Sequence, residues 1–344
     1  MGDNLKPFRQ IEDQINILKK RNMIFLNEDA DANILRDYGY YEIINGYKDK
    51  FMIDPQNDDK GFKPNTTFEH IYALYNLDKQ LRDLTLQTLA QFEQIFKQHL
   101  AYVIARDISD DQNQYTLQLH YNVGKSYRHN ATDRDGLIKN FNKTLRSTYQ
   151  PYKYYRDVHG NIPPWIMIKS FTFGNSIYWF QLSKKSIRER VIARMFGIQS
   201  DLYPEMDQLF NLNQAFGDLL ALYLDYRNLT AHGGRVYNHR SIRHGIRHYS
   251  PFIYREQILP ISRRKFNRGL YRSSLGTLYK SLLVFKNKDP YVELQSWLTI
   301  RLENYLKQYP DDQQYLIDAM ELDLTDIPKE LKTQLSESST KNES

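Results

Sequence analysis

The sequence predicts an all-α fold, and three observations carry that expectation. Apolar residues recur at helical spacing through several long segments, above all 66–106 and 209–232. Convincing runs of alternating apolar and polar residues, the mark of half-buried strands, are few. Helix start and stop signals punctuate the periodic segments: Thr66 with Glu69, Gly197, and Gly233-Gly234.

Taken in order, Pro7 to Arg21 reads as a first helix with Ile11, Ile15 and Leu18 on one face, and Asp29 to Leu35 starts a second, short one. Asn45-Gly46 and the stretch from Asp54 to Gly61 carry turn and loop chemistry. Thr66 and Glu69 form a capping box after Pro64. The run that follows keeps helical spacing to about Arg106, as one long helix or two, through Leu74, Leu77, Leu81, Leu84, Phe92, Ile95 and Phe96. Asp107 to Gly124 is polar, a loop with a short element, and Leu137 to Tyr149 is a further helix. Pro163-Pro164 breaks the chain. Trp165 to Leu182 carries many large rings, read as core packing, with Gly174 interrupting it. Lys184 to Phe196 is a helix closed by Gly197. Leu209 to His232 is the best-defined helix, with Leu212, Ala215, Phe216, Leu219, Leu220, Tyr223 and Tyr226 as its apolar stripe. Arg268 to Phe285 and Tyr291 to Tyr309 add two more, and residues 336–344 read as a disordered tail. This suggests an N-terminal helical segment (1–64), a helical core (65–285) containing a basic segment (227–272), and C-terminal helices (286–335).

A chain of 344 residues with 41% hydrophobic content can bury a core, which excludes a disordered protein. The absence of cysteine excludes disulfides and thiolate-bound zinc and is compatible with a reducing cytosol, so a cytoplasmic location is expected. Met1 to Arg9 lacks the apolar run of a secretory signal. The most apolar window, Ile162 to Leu182, is interrupted by Lys169, Ser170, Asn175 and Ser176, so no membrane-spanning helix is expected. The net charge of +6 is unevenly spread: Arg227 to Arg272 holds eleven Lys and Arg against one acid, Glu256. From Asp311 onward there are nine acids and three lysines. A basic block is the footprint of a phosphate-rich partner, and a plain solvated surface is the alternative. Arg240, Arg243, Arg247, Arg263, Arg264, Lys265 and Arg268 are its candidate RNA contacts. Tyr237, Tyr249, Phe252, Tyr254, Phe266 and Tyr271 interleave it, and stacking on bases is one use for such rings.

The chemistry concentrates at Arg227-Asn228-Leu229-Thr230-Ala231-His232-Gly233-Gly234. Arginine holds phosphate in a fork geometry, and histidine moves protons near neutral pH. On a helix Asn228 and His232 are stacked neighbours, so Asn228 can fix the ring tautomer of His232. Arg227 lies about 140° round the axis from His232, so the two can flank a phosphate without touching. The rival reading is a helix end whose Arg and His make salt bridges and caps.

Four stretches in order, over about residues 5–245, resemble the Abi-like (AbiD/AbiF-type) abortive-infection family of bacterial phage-defence proteins. They are Asp37 to Tyr47 (an aromatic block), Thr67 to Arg82 (an opening core helix), Pro164 to Gly174 (a Pro-Trp and Phe-Gly block), and Arg227 to Asn238. The resemblance implies a HEPN-like helical bundle with N- and C-terminal helical additions, whose Arg-x4–6-His motif is typically an RNase site. It makes Arg227 and His232 the catalytic pair, with Asn228 the usual polar residue after the arginine. Glu93 and Lys97 match supporting charged positions on the earlier core helix, and Arg235 and Asn238 match the signature's tail, with substrate-positioning roles. This chain departs from the pattern at Ala90 and Gln91, where the family usually shows a second acid and a basic residue.

The implied activity is metal-independent RNA cleavage leaving a 2′,3′-cyclic phosphate, with no cofactor and with a homodimer as the expected assembly. A non-catalytic protein holding a structured non-coding RNA is the alternative. A metal hydrolase using His232, His239, His244 and His248 is disfavoured, because their spacing matches no metal-ligand pattern and the arginines beside His244 and His248 repel a cation.

Overall fold

The computed structural model describes residues 8–127 and 131–322. The expected tail at 336–344 lies outside them. Among the described residues the chain is all-α, with isolated bridges such as Ile24 to Thr67 but no strand. Its helices are α1 (Ile11–Lys20), α2 (Glu28–Tyr38), α3 (Phe68–Asp107), α4 (Gln112–Tyr115), α5 (Asp133–Leu145), α6 (Tyr152–His159), α7 (Pro164–Met167), α8 (Phe173–Leu182), α9 (Lys185–Phe196), α10 (Tyr203–Phe210), α11 (Leu212–Ala231), α12 (Arg263–Asn267), α13 (Leu275–Ser281), α14 (Asp289–Gln308) and α15 (Gln313–Met320). None of them is long and apolar enough to cross a membrane.

The chain divides into two compact units. Of the described residues, the first takes 8–83, 235–237 and 297–322, and the second takes 84–234 and 238–296. The chain passes between them inside α3 and again inside α14.

In the first unit α1 buries Ile15 and Leu18, as their spacing predicts. The start of α3 differs from expectation. Thr67, not Thr66, caps it, accepting the His70 N–H at 3.2 Å. Glu69 reaches away from the helix and accepts the Leu26 and Asn27 N–H groups at 2.9 and 3.3 Å. The non-helical stretch before α2 has backbone donors to satisfy, and Glu69 satisfies two of them. Asn45-Gly46 is not a turn; it ends a π-helical segment, Tyr41–Asn45.

Asp78 of α3 is fully buried. It accepts the Val236 and Tyr237 N–H groups at 3.0 and 2.8 Å and the Tyr47 hydroxyl at 2.7 Å. Burial pushes its carboxyl above the usual range. These bonds are what hold residues 235–237 in this unit. A second buried carboxylate, Asp312, accepts the Tyr305 hydroxyl at 2.6 Å, pairs with Lys50, and lies 3.0 Å from His70 Nε2.

In the second unit the later part of α3 is central. Phe92 packs edge-on to Tyr223 and Phe285 at 4.8 Å each, and Phe96 meets Phe180 and Phe216 at 5.8 and 6.1 Å. The ring-rich stretch is core: Trp179 is fully buried and donates to the Tyr121 hydroxyl at 3.1 Å. Gly174 sits inside α8; the break comes before it, where the Thr172 side chain caps the helix. The single helix expected at 209–232 is divided, because Asn211 is left-handed (φ 54°) and separates α10 from α11. Gly269 and Tyr271, at φ 88° and 54°, keep the start of the expected 268–285 helix irregular, and α13 begins only after Ser274 caps it.

Candidate functional site

The end of α11 is built by its two glycines. Gly234 N–H bonds the Leu229 carbonyl at 2.9 Å and Gly233 N–H bonds the Thr230 carbonyl at 3.2 Å, the paired bonds of a Schellman motif. Gly233 is left-handed at φ 78°. A Cβ on Gly234 would stand 2.2 Å from Leu229 Cδ1, so only glycine fits without displacing that side chain. This stop makes His232 the C-cap residue, with its N–H on the Asn228 carbonyl at 3.1 Å. The His232 ring is exposed and makes no hydrogen bond among the described residues. The Asn228 side chain, also exposed, makes no hydrogen bond to that ring; the tautomer lock expected from their spacing is absent.

Arg227, a little over one turn earlier, faces α3. Its Nε lies 3.8 Å from Glu93 Oε2, with its side chain about one-third exposed (36%) and that of Glu93 at 15%. Lys97 Nζ donates to Glu93 Oε1 and to the Phe171 carbonyl, each at 2.5 Å. The structure thus brings Arg227, Glu93 and Lys97 into one charged chain, beside the α7–α8 junction.

Two aspartates that sequence reasoning missed hold the segment after the helix. Asp218 and Asp225 lie two turns apart on one face of α11. Asp218 Oδ2 accepts the Arg247 and His248 N–H groups at 2.8 and 2.9 Å, and His248 Nδ1 lies 3.0 Å away. Asp225 Oδ2 lies 2.9 Å from His239 Nε2, and the His239 ring meets Tyr226 edge-on at 5.0 Å. The available signal was an acid interrupting the apolar stripe: Asp218 is only 5% exposed. Two histidines of the metal alternative are therefore committed to aspartates, and among the described residues no three His, Asp or Glu converge as a ligand set.

Of the expected RNA contacts, Arg240, Arg243, Arg247, Arg263, Arg264, Lys265 and Arg268 are exposed on the second unit, and Asn238 is half-buried. Arg240 also donates to the His239 carbonyl at 3.0 Å. Arg235 belongs to the other unit, where it donates to the Gly46 carbonyl and lies 5.8 Å over the Tyr47 ring. Most of the interleaved rings are not base platforms. Tyr237, Phe252, Tyr254 and Phe266 are 2–7% exposed. Tyr249 is half-buried, stacked on Tyr254 at 5.1 Å and edge-on to Phe266 at 5.6 Å. A long segment with little helix must bury its own apolar surface to stay ordered, and these rings supply it.

A family model described as Abi-like protein matches residues 33–238, more than half the chain and a span that includes Glu93, Lys97, Arg227 and His232. No curated protein and no solved structure matches. The chain belongs to the Abi-like protein family, a family of abortive-infection phage defence.

Proposed function

We propose that this protein acts in phage defence by cutting RNA, as a metal-independent endoribonuclease of the HEPN superfamily. The observation that carries the reading is the ion pair between Arg227 on α11 and Glu93 on α3, with the exposed His232 ring at the same helix end. RNA supplies its own nucleophile, since the 2′-hydroxyl sits beside the phosphodiester it attacks. The enzyme has to move a proton off that oxygen, deliver one to the leaving 5′-oxygen, and stabilise charge on the phosphorane. His232 does the proton work. Arg227 stabilises the charge: Glu93 faces its Nε edge, which orients the other edge of the guanidinium toward phosphate. Lys97 balances the Glu93 carboxylate, so Arg227 keeps its charge for the substrate. In a homodimer two copies of Arg227 and His232 face one strand, one ring removing the proton and the other delivering it. Asn228 and Asn238 position the strand, and the exposed Arg243, Arg247, Arg263, Arg264, Lys265 and Arg268 hold its phosphates, with Arg240 beside them. The products are a 2′,3′-cyclic phosphate and a 5′-hydroxyl.

The test is cleavage of RNA by the purified chain in chelator, with end-group analysis, beside Arg227→Ala and His232→Ala. Each variant should lose at least about 100-fold in rate while its circular dichroism is unchanged. Undiminished cleavage by His232→Ala would sink the reading. Tight RNA binding without cleavage, surviving His232→Ala, would assign the protein instead to holding a structured RNA; the exposed basic surface favours RNA in either case.

A further inference from the structure

The first unit contains an open pocket of about 660 Å3 that the reading above does not use. Its volume falls in the range that encloses a small organic ligand. Tyr40, Tyr41, Asn45, Gln14, Arg9 and Arg21 line it together with Ile17 and the Asp58 carboxylate, which Arg21 and Lys48 neutralise. Tyr41 and Asn45 are the two ends of the π-helical segment, a rare local geometry that is frequent at functional sites. Tyr41 is 73% exposed, a large ring left in solvent at the pocket edge.

The polar groups are unevenly satisfied. The Gln14 amide donates to the Arg9 carbonyl at 2.9 Å, while its Oε1 is buried without a hydrogen-bond partner. Arg21 is held by Asp58, which also pairs with Lys48. The Arg9 side chain makes no ion pair among the described residues and is exposed. The pocket therefore combines an exposed aromatic face, two side-chain amides and a guanidinium that has no acidic partner among the described residues. A second large pocket, beside α5, lacks this demand: Asp133 there already accepts from the Tyr127 and Tyr178 hydroxyls, and Asp135 closes a capping box.

We infer that this pocket binds a nucleotide, its base stacked on Tyr41 and read by Asn45 and Gln14, its phosphate held by Arg9. Stacking is tolerant of base identity, and amides supply the donors and acceptors that a base edge requires. The nucleotide is either free or one residue of an RNA strand; both present the same chemistry. The inference rests on the pocket's own residues and does not need the RNase site.

The test is calorimetric binding of 5′-AMP, and separately of an uncleavable 2′-O-methyl oligonucleotide, to the full chain carrying His232→Ala. His232→Ala removes cleavage but leaves the basic surface able to bind RNA, so only binding that depends on Tyr41 and Arg9 is assigned to this pocket. Tyr41→Ala and Arg9→Ala should each weaken binding at least tenfold, and Tyr41→Phe should restore it, because stacking needs the ring and not the hydroxyl. Binding of AMP with this dependence identifies a free nucleotide as ligand. Binding of the oligonucleotide alone, with the same dependence, identifies a strand. Failure of both probes to bind, or binding indifferent to Tyr41 and Arg9, overturns the proposal.

Discussion

Replacing Asp78 by alanine removes the acceptor of three hydrogen bonds at once, from the Val236 and Tyr237 N–H groups and the Tyr47 hydroxyl. The site is fully buried, so water cannot substitute without opening the packing. Each donor left unpaired costs about 1–3 kcal/mol, partly offset because a buried carboxylate is no longer desolvated. The net loss for Asp78→Ala is about 3–5 kcal/mol, a large share of the roughly 5–15 kcal/mol that holds a domain folded. Asp78→Asn gives a contrasting result. Both backbone N–H groups converge on Oδ1, which the amide oxygen can replace, and the Tyr47 hydroxyl can rotate to accept from the new NH2. That variant should lose about 1 kcal/mol or less, and Tyr47→Phe, which deletes one bond, about 1 kcal/mol. Urea unfolding followed by far-UV circular dichroism measures all three. Equal losses for alanine and asparagine, or a loss under about 1 kcal/mol for alanine, would refute the assignment of Asp78 as the clamp on residues 235–237.

Gly233→Ala should lower stability by about 1–2 kcal/mol because a side chain is strained at positive φ, and Gly233→Asn by less, since asparagine tolerates the left-handed region; equal melting temperatures for wild type and alanine would count against the Schellman stop. Asp31, 2% exposed, is pushed up to about 7 by burial and then by the Glu69 carboxylate. The folded chain holds this proton more tightly than the unfolded one, so its stabilisation is complete below about pH 4 and lost as pH rises through about 7. Melting temperature should fall across that window, and Asp31→Asn should flatten the fall; an equal fall in the variant contradicts it. Removing Arg263, Arg264 and Lys265 together should reduce the slope of log affinity for RNA against log salt by roughly 2–3, and an unchanged slope would place these side chains outside the RNA contact.

Much of the helical content was legible because it depends on local periodicity. Ile15 and Leu18 of α1, and the stripe from Leu212 to Tyr226 on α11, face inward as their spacing requires. Boundaries were less legible where one backbone angle decides them: Asn211 at φ 54° divides a stretch whose hydrophobic pattern runs on unbroken. The capping of α3 was misread because Glu69 finds better partners in Leu26 and Asn27, more than forty residues earlier, than in its own helix end. The rings interleaved with the basic segment looked like base platforms because burial is invisible in composition; Tyr254 and Phe266, at 4% exposure, are core.

By itself the sequence determined the helical class, the stop after His232, and the resemblance to the Abi-like family that the family model bears out. These are short-range properties, set by residues within a turn or two of one another. The tertiary structure alone decided that N- and C-terminal segments share one unit, that Glu93, singled out by the resemblance, forms an ion pair with Arg227, and that Asp218 and Asp225 hold the basic segment. Such pairings join positions tens to hundreds of residues apart. What selects them is the burial of a carboxylate or a ring against whichever partner satisfies it, and no local pattern encodes that choice.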